Sequence, residues 1–150
     1  MKVGYLFKNK SKSSFSVSPD ASVTEAAKVM NDNRIGSLVV REGPTGIKSI
    51  VTERDILHVV GGKPDKLSTL KVRDIMAPTL ITCQIADTVD HVMDLMINNQ
   101  TGHRIRHLPV MDGDQFVGII SVSDIVEALL TETKQENNLL KSYIKNWPEE

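Results

Sequence analysis

Residues 117–130 read VGIISVSDIVEALL, and this stretch decides the fold. A short apolar run, Val117, Ile119, Ile120 and Val122, gives way to apolar residues at helical spacing, Ile125, Val126, Leu129 and Leu130. The hydroxyl of Ser121 and the carboxylate of Asp124 stand at the join. The change of period marks a strand running into a helix. Residues 48–60, KSIVTERDILHVV, carry the same phrase, with Thr52 for Ser121, Asp55 for Asp124, and Ile56 and Leu57 for Ile125 and Val126. One supersecondary unit is written twice.

Upstream of each phrase the same elements recur. In the first unit a brief strand over residues 15–18 turns at Pro19 and Asp20. Ser22 with Glu25 makes a capping box opening a helix whose inner face is Val23, Ala26, Ala27 and Met30, with Asn33 and Gly36 marking its end. Strands over 38–40 and 47–52 follow, joined by a turn at 43–46, and a helix over 53–60 is stopped by Gly61 and Gly62. In the second unit residues 72–76 and Pro78 lead into a brief strand over 80–83. Asp87 and Thr88 cap a helix facing inward with Val89, Val92, Met93 and Met96, and strands over 105–111 and 115–121 turn at 112–114. The second unit carries an insertion at residues 101–104. The class is therefore α/β, with tandem β-α-β-β-α repeats that each bury too little alone and pack together in pseudo-twofold fashion.

The chain divides into an N-terminal segment (1–14), a first repeat (15–70), a second repeat (71–130) and a C-terminal helix (131–150). Residues 8–14, KNKSKSS, are expected to be mobile or to lie at an edge, and Val3, Tyr5, Leu6 and Phe7 before them form a short packing element whose partner the sequence does not identify. Leu139, Leu140, Tyr143, Ile144 and Trp147 make an apolar stripe that packs on the module or on a second chain, after a polar stretch over 131–138.

Composition bounds the function. With 150 residues, 40% of them apolar and 25% charged, the chain can bury one sizeable core or two halves that share one. Its 18 basic and 19 acidic side chains leave a net charge of −1, which offers no field for non-specific nucleic-acid or anionic-membrane binding. No apolar run approaches the roughly 18 residues needed to span a bilayer, and the run over residues 3–7 is too short for a signal-peptide core. A cytoplasmic location is expected, and the single cysteine, Cys83, fits a reducing compartment.

The doubled pattern resembles the CBS-domain pair, or Bateman module. The resemblance rests on the strand followed by [ST]-x-x-D and a helix, at Thr52 to Asp55 and Ser121 to Asp124, and on RIGSLVV (34–40), VRDIM (72–76) and IRHLPV (105–110). It covers roughly residues 15–130. One departure is Ser49, which stands where the family commonly has the glycine that Gly118 provides, and which narrows a ligand's approach to the first motif.

A strand ending in Thr52 or Ser121 and feeding a helix presents backbone N–H groups and a hydroxyl to a phosphate. The carboxylate three residues on can accept two hydrogen bonds from a ribose diol. The same residues also form a capping box that satisfies the helix end and nothing more. The resemblance favours the first reading and implies adenine nucleotides (AMP, ADP, ATP or NAD) in clefts between the repeats. It implies one site of Ile119, Ser121, Ser123 and Asp124 with Ile35 and Gly36, and a second of Ile50, Thr52, Arg54 and Asp55 with Ile105, Arg106 and His107. Arg54, Arg106 and His107 supply positive charge near phosphate, so the second site is expected to prefer the more highly phosphorylated ligand.

Other chemistry finds no support in the sequence. His58, His91, His103 and His107 fall in no metal-ligand spacing, and His91, beside an apolar helix face, is expected to be packed. No metal is expected. Cys83 reads as a small buried hydrophobe, and no nucleophile or paired-carboxylate arrangement is visible. The expected protein is a stand-alone sensor, not an enzyme. It would bind an adenine nucleotide, pair as a homodimer through its helices as family modules do, and report to a regulated protein of unknown identity. The alternatives are a ligand-free interaction or dimerisation module, an S-adenosylmethionine-binding module, and a small enzyme acting on an adenosyl compound.

Overall fold

The computed structural model describes residues 1–7, 14–44 and 46–145. Lys8 and the basic residues after it, Thr45 in the first hairpin turn and Trp147 lie outside the described residues. In chain order the elements are α1 (Val3–Leu6), β1 (Ser16–Val17), α2 (Val23–Asn33), β2 (Ser37–Val40), β3 (Ser49–Thr52) and α3 (Glu53–Gly62), then a short 3-10 turn (Pro64–Lys66). The second half has α4 (Val72–Ile75), β4 (Cys83–Gln84), α5 (Val89–Ile97), β5 (His107–Asp112), β6 (Gln115–Ser121) and α6 (Val122–Lys145).

Each unit builds a three-stranded sheet, β1-β2-β3 or β4-β5-β6, with a parallel pair followed by an antiparallel hairpin. Ser22 and Thr88 cap α2 and α5 by accepting from the N–H groups of Glu25 and His91 at 3.0 and 3.1 Å. The apolar faces then close on the sheets: Ala26 and Met30 meet Leu38, Val40 and Val51, and Val89, Val92 and Met96 meet Leu108, Val110 and Ile120. Val39 and Ile50 alternate away from this layer and are nevertheless buried, because both faces of the hairpin are covered.

The lead-in of each unit crosses to the other one. Val72 on α4 belongs to the first core, and Val3 and Phe7 to the second. The backbone repeats the arrangement: Val72 N donates to Ala21 O and Val3 N to Asp87 O, both at 2.9 Å, while Arg73 N donates to Pro19 O and Gly4 N to Ile85 O, also at 2.9 Å. Residues 2–7, KVGYLF, are therefore the counterpart of KVRDIM at 71–76, and the short apolar element at the N-terminal end has the second repeat as its partner. Arg73 further clamps Asp20, with Nη2 at 2.6 Å and Nε at 3.0 Å from Oδ1. This hydrogen-bonded guanidinium holds the Asp20 carboxyl below its ordinary value.

Five expectations need correction. α2 ends at Arg34, which adopts the left-handed conformation (φ 53°, ψ 47°) commonly taken by glycine at a helix end, so Gly36 does not cap it. Gly61 and Gly62 lie inside α3, whose end is set by Lys63 and the Pro64 turn. The C-terminal helix is no separate element: α6 runs unbroken through the polar stretch, which lacks Gly and Pro and so reads as a solvated helix rather than a break. Its stripe of Leu139, Leu140, Tyr143 and Ile144 is exposed instead of packed on the module. His91 is also exposed.

Candidate functional site

Both strand-to-helix joins are capping boxes. Thr52 N donates to Asp55 Oδ2 at 2.8 Å and Asp55 N to Thr52 Oγ1 at 3.4 Å. In the second unit Ser121 N donates to Asp124 Oδ2 at 2.8 Å and Asp124 N to Ser121 Oγ at 3.2 Å. The first helical residues donate backward, Glu53 N to Gly36 O at 2.9 Å and Val122 N to Arg106 O at 3.0 Å. These bonds use up most of the amides that the sequence offers to an anion. The amides of Arg54 and Ser123 are not among these donors, so the caps leave fewer amides for an anion at each join than the sequence alone suggests. Each box engages its carboxylate through Oδ2.

A cleft of about 340 Å³ lies between the repeats at the second join. It brings together Ile119, Ser121 and Asp124 from β6 and α6 with Ile35 and Gly36, which lead into β2. These are five of the six residues expected there; Ser123, exposed on the first turn of α6, does not line it. A Cβ at Gly36 would stand 3.2 Å from the Glu53 carboxylate, the end of an exposed, flexible side chain.

His107 lines the same cleft, although the sequence grouped it with Thr52. The reason is register: His107 is the antiparallel partner of Ser121, as Ser37 is of Thr52. Arg34 and Ser37 also line the cleft, as do Phe7, Phe15 and Gly118. Arg34 was legible as the neighbour of Ile35, whereas Phe7 reaches the cleft only because α1 crosses to the second repeat. With Arg34 and His107 at the second join, the basic charge is not concentrated at the first join as expected.

At the first join Thr52 and Asp55 are half-buried, and Ile50 is buried in the hairpin. Arg54 and Arg106 are exposed, and Ile105 is half-buried. Ser49 is 1% exposed and donates from Oγ to Ala77 O at 2.7 Å, so its hydroxyl faces the lead-in to the second unit. The departure from glycine has a structural use there.

Cys83 is buried in the second core, and burial, aided by the charge of Asp87, pushes its thiol up to about 12. Such a thiol is a packed hydrophobe and not a nucleophile at neutral pH. Among the described residues no group of three His, Cys, Asp or Glu side chains is placed to hold a metal ion, and no helix is long and apolar enough to cross a membrane.

Comparison with known proteins agrees with the geometry. The family model for the CBS domain matches twice, over residues 10–62 and 72–131. The mitochondrial CBS domain-containing protein CBSX3 of Arabidopsis thaliana is 36% identical over 132 residues, covering 84% of this chain and 61% of its own length. The chain spans 60–66% of the length of three of the curated relatives it matches and as little as 21% of others. Among solved structures, the CBS-domain containing protein ATU1752 from Agrobacterium tumefaciens superposes with a TM-score of 0.77 at 34% identity, covering 85% of this chain and 98% of the other. The CBS domain pair of MJ0100, solved in complex with 5-methylthioadenosine and S-adenosyl-L-methionine, superposes with a TM-score of 0.71 at 25% identity, covering 86% and 99%. The two α/β units, their crossed lead-ins and the matched residues together place this chain in the CBS-domain family, as a tandem pair of CBS domains.

Proposed function

We propose that this CBS pair is a regulatory module that binds an adenosine-containing ligand in the cleft at Ser121 and Asp124 and passes the bound state on through its helices. The observation that carries the reading is the convergence of Asp124, Ser121, Arg34 and His107 on one cleft between the repeats. Asp124 accepts from the ribose diol, the Ser121 hydroxyl meets a phosphate or other 5′ substituent, and Arg34 and His107 supply the positive charge. AMP, ADP, ATP and NAD all carry these groups. An S-adenosylmethionine-type ligand is the second reading, favoured by the adenosyl compounds bound to the similar MJ0100 pair. Thr52, Arg54 and Asp55 with Ile50, Ile105 and Arg106 form the second, pseudo-equivalent site.

Ligand in the cleft touches both repeats, so it shifts their arrangement to the extent that it prefers one arrangement over the other. A homodimer formed through exposed helix faces, and a regulated protein, are the expected recipients. The module senses and does not turn over its ligand. A reducing, cytoplasmic compartment is part of the reading.

The test is thermal unfolding with AMP, ADP, ATP, NAD, S-adenosylmethionine and 5′-methylthioadenosine in turn, with product analysis of each mixture. Ligand at 100 times its dissociation constant adds about 2.7 kcal/mol, which for a chain of this size raises the melting temperature by roughly 2–4 °C per kcal/mol. A rise with at least one of them and no consumption of it is expected. No rise with any would leave the two joins as helix caps and the chain as a ligand-free interaction module.

A further inference from the structure

We propose that the groove between α1 and the first half of α6 docks an amphipathic, lysine-bearing helix of the regulated protein. The groove adjoins the ligand cleft without needing a ligand in it, so its occupancy stands or falls apart from the adenosine reading.

The groove has a volume of about 530 Å³, against about 340 Å³ for the cleft between the repeats. It exists because α1 crosses to the second repeat and lies against α6. In the first repeat the chain leaves α3 at once, and the turn at Pro64–Lys66 packs back on that helix. The counterpart residues 133–135 instead continue α6, whose straight run carries one wall of the groove out to Gln135.

The floor is apolar and the rim is acidic. Leu6 and Ala128 are half-buried in it, and Met1 and Tyr5 remain 38% and 51% exposed along it. Glu127 and Glu132 stand exposed on the α6 side, with Asp124 at the end next to the cleft, and Lys2 is the one lysine lining the groove. This excess of negative charge is local, since the whole chain carries a net charge of only −1. A helix with lysines flanking an apolar stripe complements both features: its stripe covers the floor, and its lysines meet the rim and fix its orientation.

A partner protein fits the groove better than a second copy of the chain. At 3.6 residues per turn, Glu127, Ala128 and Thr131 lie on the opposite side of α6 from Val122, Val126 and Leu130, so two modules that pair through those apolar residues leave the groove open. The stripe at Leu139, Leu140, Tyr143 and Ile144 lies on a different side of α6 from the groove. Seating it in a second copy's groove would run head to tail into an open chain instead of a closed pair. The place also suits an output surface. Asp124 lines groove and cleft alike, and α1 gives Tyr5 and Leu6 to the one and Phe7 to the other, so a docked helix rests on the same two elements that a ligand touches.

Fluorescence anisotropy of the full chain tests this with a labelled helical peptide that has leucines at i, i+3, i+4 and i+7 and lysines beside them, and with a twin carrying glutamate for lysine. The lysine peptide is expected to bind saturably and the glutamate peptide not to bind. Glu127→Lys with Glu132→Lys is expected to weaken the lysine peptide about tenfold. Ala128→Gln, which puts a neutral side chain on the floor, is expected to weaken it by a similar factor. Asp114→Lys with Glu136→Lys makes the same change of charge at exposed positions outside the groove, and should leave binding within about twofold. Equal weakening by the two lysine pairs, or equal binding of the two peptides, would overturn the inference. So would uptake of the lysine peptide only after truncation behind Glu132, which would assign the groove to the tail of a second copy. Neither Glu127 nor Glu132 lines the ligand cleft, so a missing thermal response to adenosine compounds counts against the ligand reading alone, and missing peptide binding counts against the groove alone.

Discussion

Asp124 and Asp55 make the same cap, yet only Asp124 lines the inter-repeat cleft. Substituting either by alanine removes a reciprocal N-terminal cap, which costs about 1 kcal/mol and lowers the ligand-free melting temperature by roughly 2–4 °C. The ligand response separates them: Asp124→Ala loses the rise that comes from the cleft at Ser121, whereas Asp55→Ala loses only what the second, pseudo-equivalent site adds. Equal loss in both would mean that occupancy depends on the caps and not on the cleft. Gly118→Ala tests the packing beside the cleft. Its added methyl meets the Phe7 ring inside a packed core, an overpacking of about 1–3 kcal/mol, read as a lower midpoint in denaturant. Cys83 gives a pH signature. Its folded thiol titrates near 12 against an ordinary 9.0, so its contribution to stability is complete below pH 9 and is lost as pH rises toward 12. Cys83→Ala should flatten that part of the alkaline stability profile, and a native thiol that reacts rapidly at pH 8 would contradict its burial. Several of these residues were legible from sequence because the joins at Thr52 and Ser121 are local patterns. Phe7 was not, because its place depends on a crossing that no local pattern encodes.

At the scale of elements, the crossed lead-ins explain how two small units hold together. α1 gives the second core Val3, fully buried, and Phe7, and closes its backbone onto Asp87 and Ile85. Deleting residues 1–7 should therefore strip protection from amide exchange in α5, β5 and β6 while β2 and β3 keep theirs, since their own lead-in, α4, remains. Uniform loss across both units would show that the two cores unfold as one. The strands and the starts of α2 and α5 were legible because capping residues and apolar periodicity agree there. Helix ends were less so. A glycine pair signals a stop only when the chain needs a left-handed residue, and α3 reaches Gly61 and Gly62 without one, while Arg34 takes that conformation at the end of α2. The polar residues after Leu130 in turn carry good helix formers, which extend α6 where a loss of apolar period suggested a break.

For the whole molecule, what remains open to solvent bears on assembly. Leu57 and Val60 on α3, Ile97 on α5, and Val122, Val126 and Leu130 on α6 are large apolar side chains left exposed on the module, apart from the exposed stripe further along α6. Leu57 and Val126 occupy equivalent places on the two join helices, so the pseudo-twofold puts one apolar position on each half, and helix faces of this kind suit a symmetric partner. We therefore expect the chain to sediment as a dimer at micromolar concentration, with Leu57→Lys or Val126→Lys shifting it to monomer. Neither side chain is in a core, so both variants should keep the far-ultraviolet circular dichroism and melting behaviour of a folded monomer. The α6 stripe at Leu139, Leu140, Tyr143 and Ile144 is separable from this face by truncation after Glu132: the shortened chain should stay folded, because every removed residue within the described part is exposed. If the truncated chain still sediments as a dimer while the two lysine variants do not, the helix faces of the module hold the pair together. If the lysine variants remain dimeric and truncation alone yields monomer, the dimer belongs to the tail and ligand-driven rearrangement of the repeats must reach it along α6, whose first turn carries Asp124.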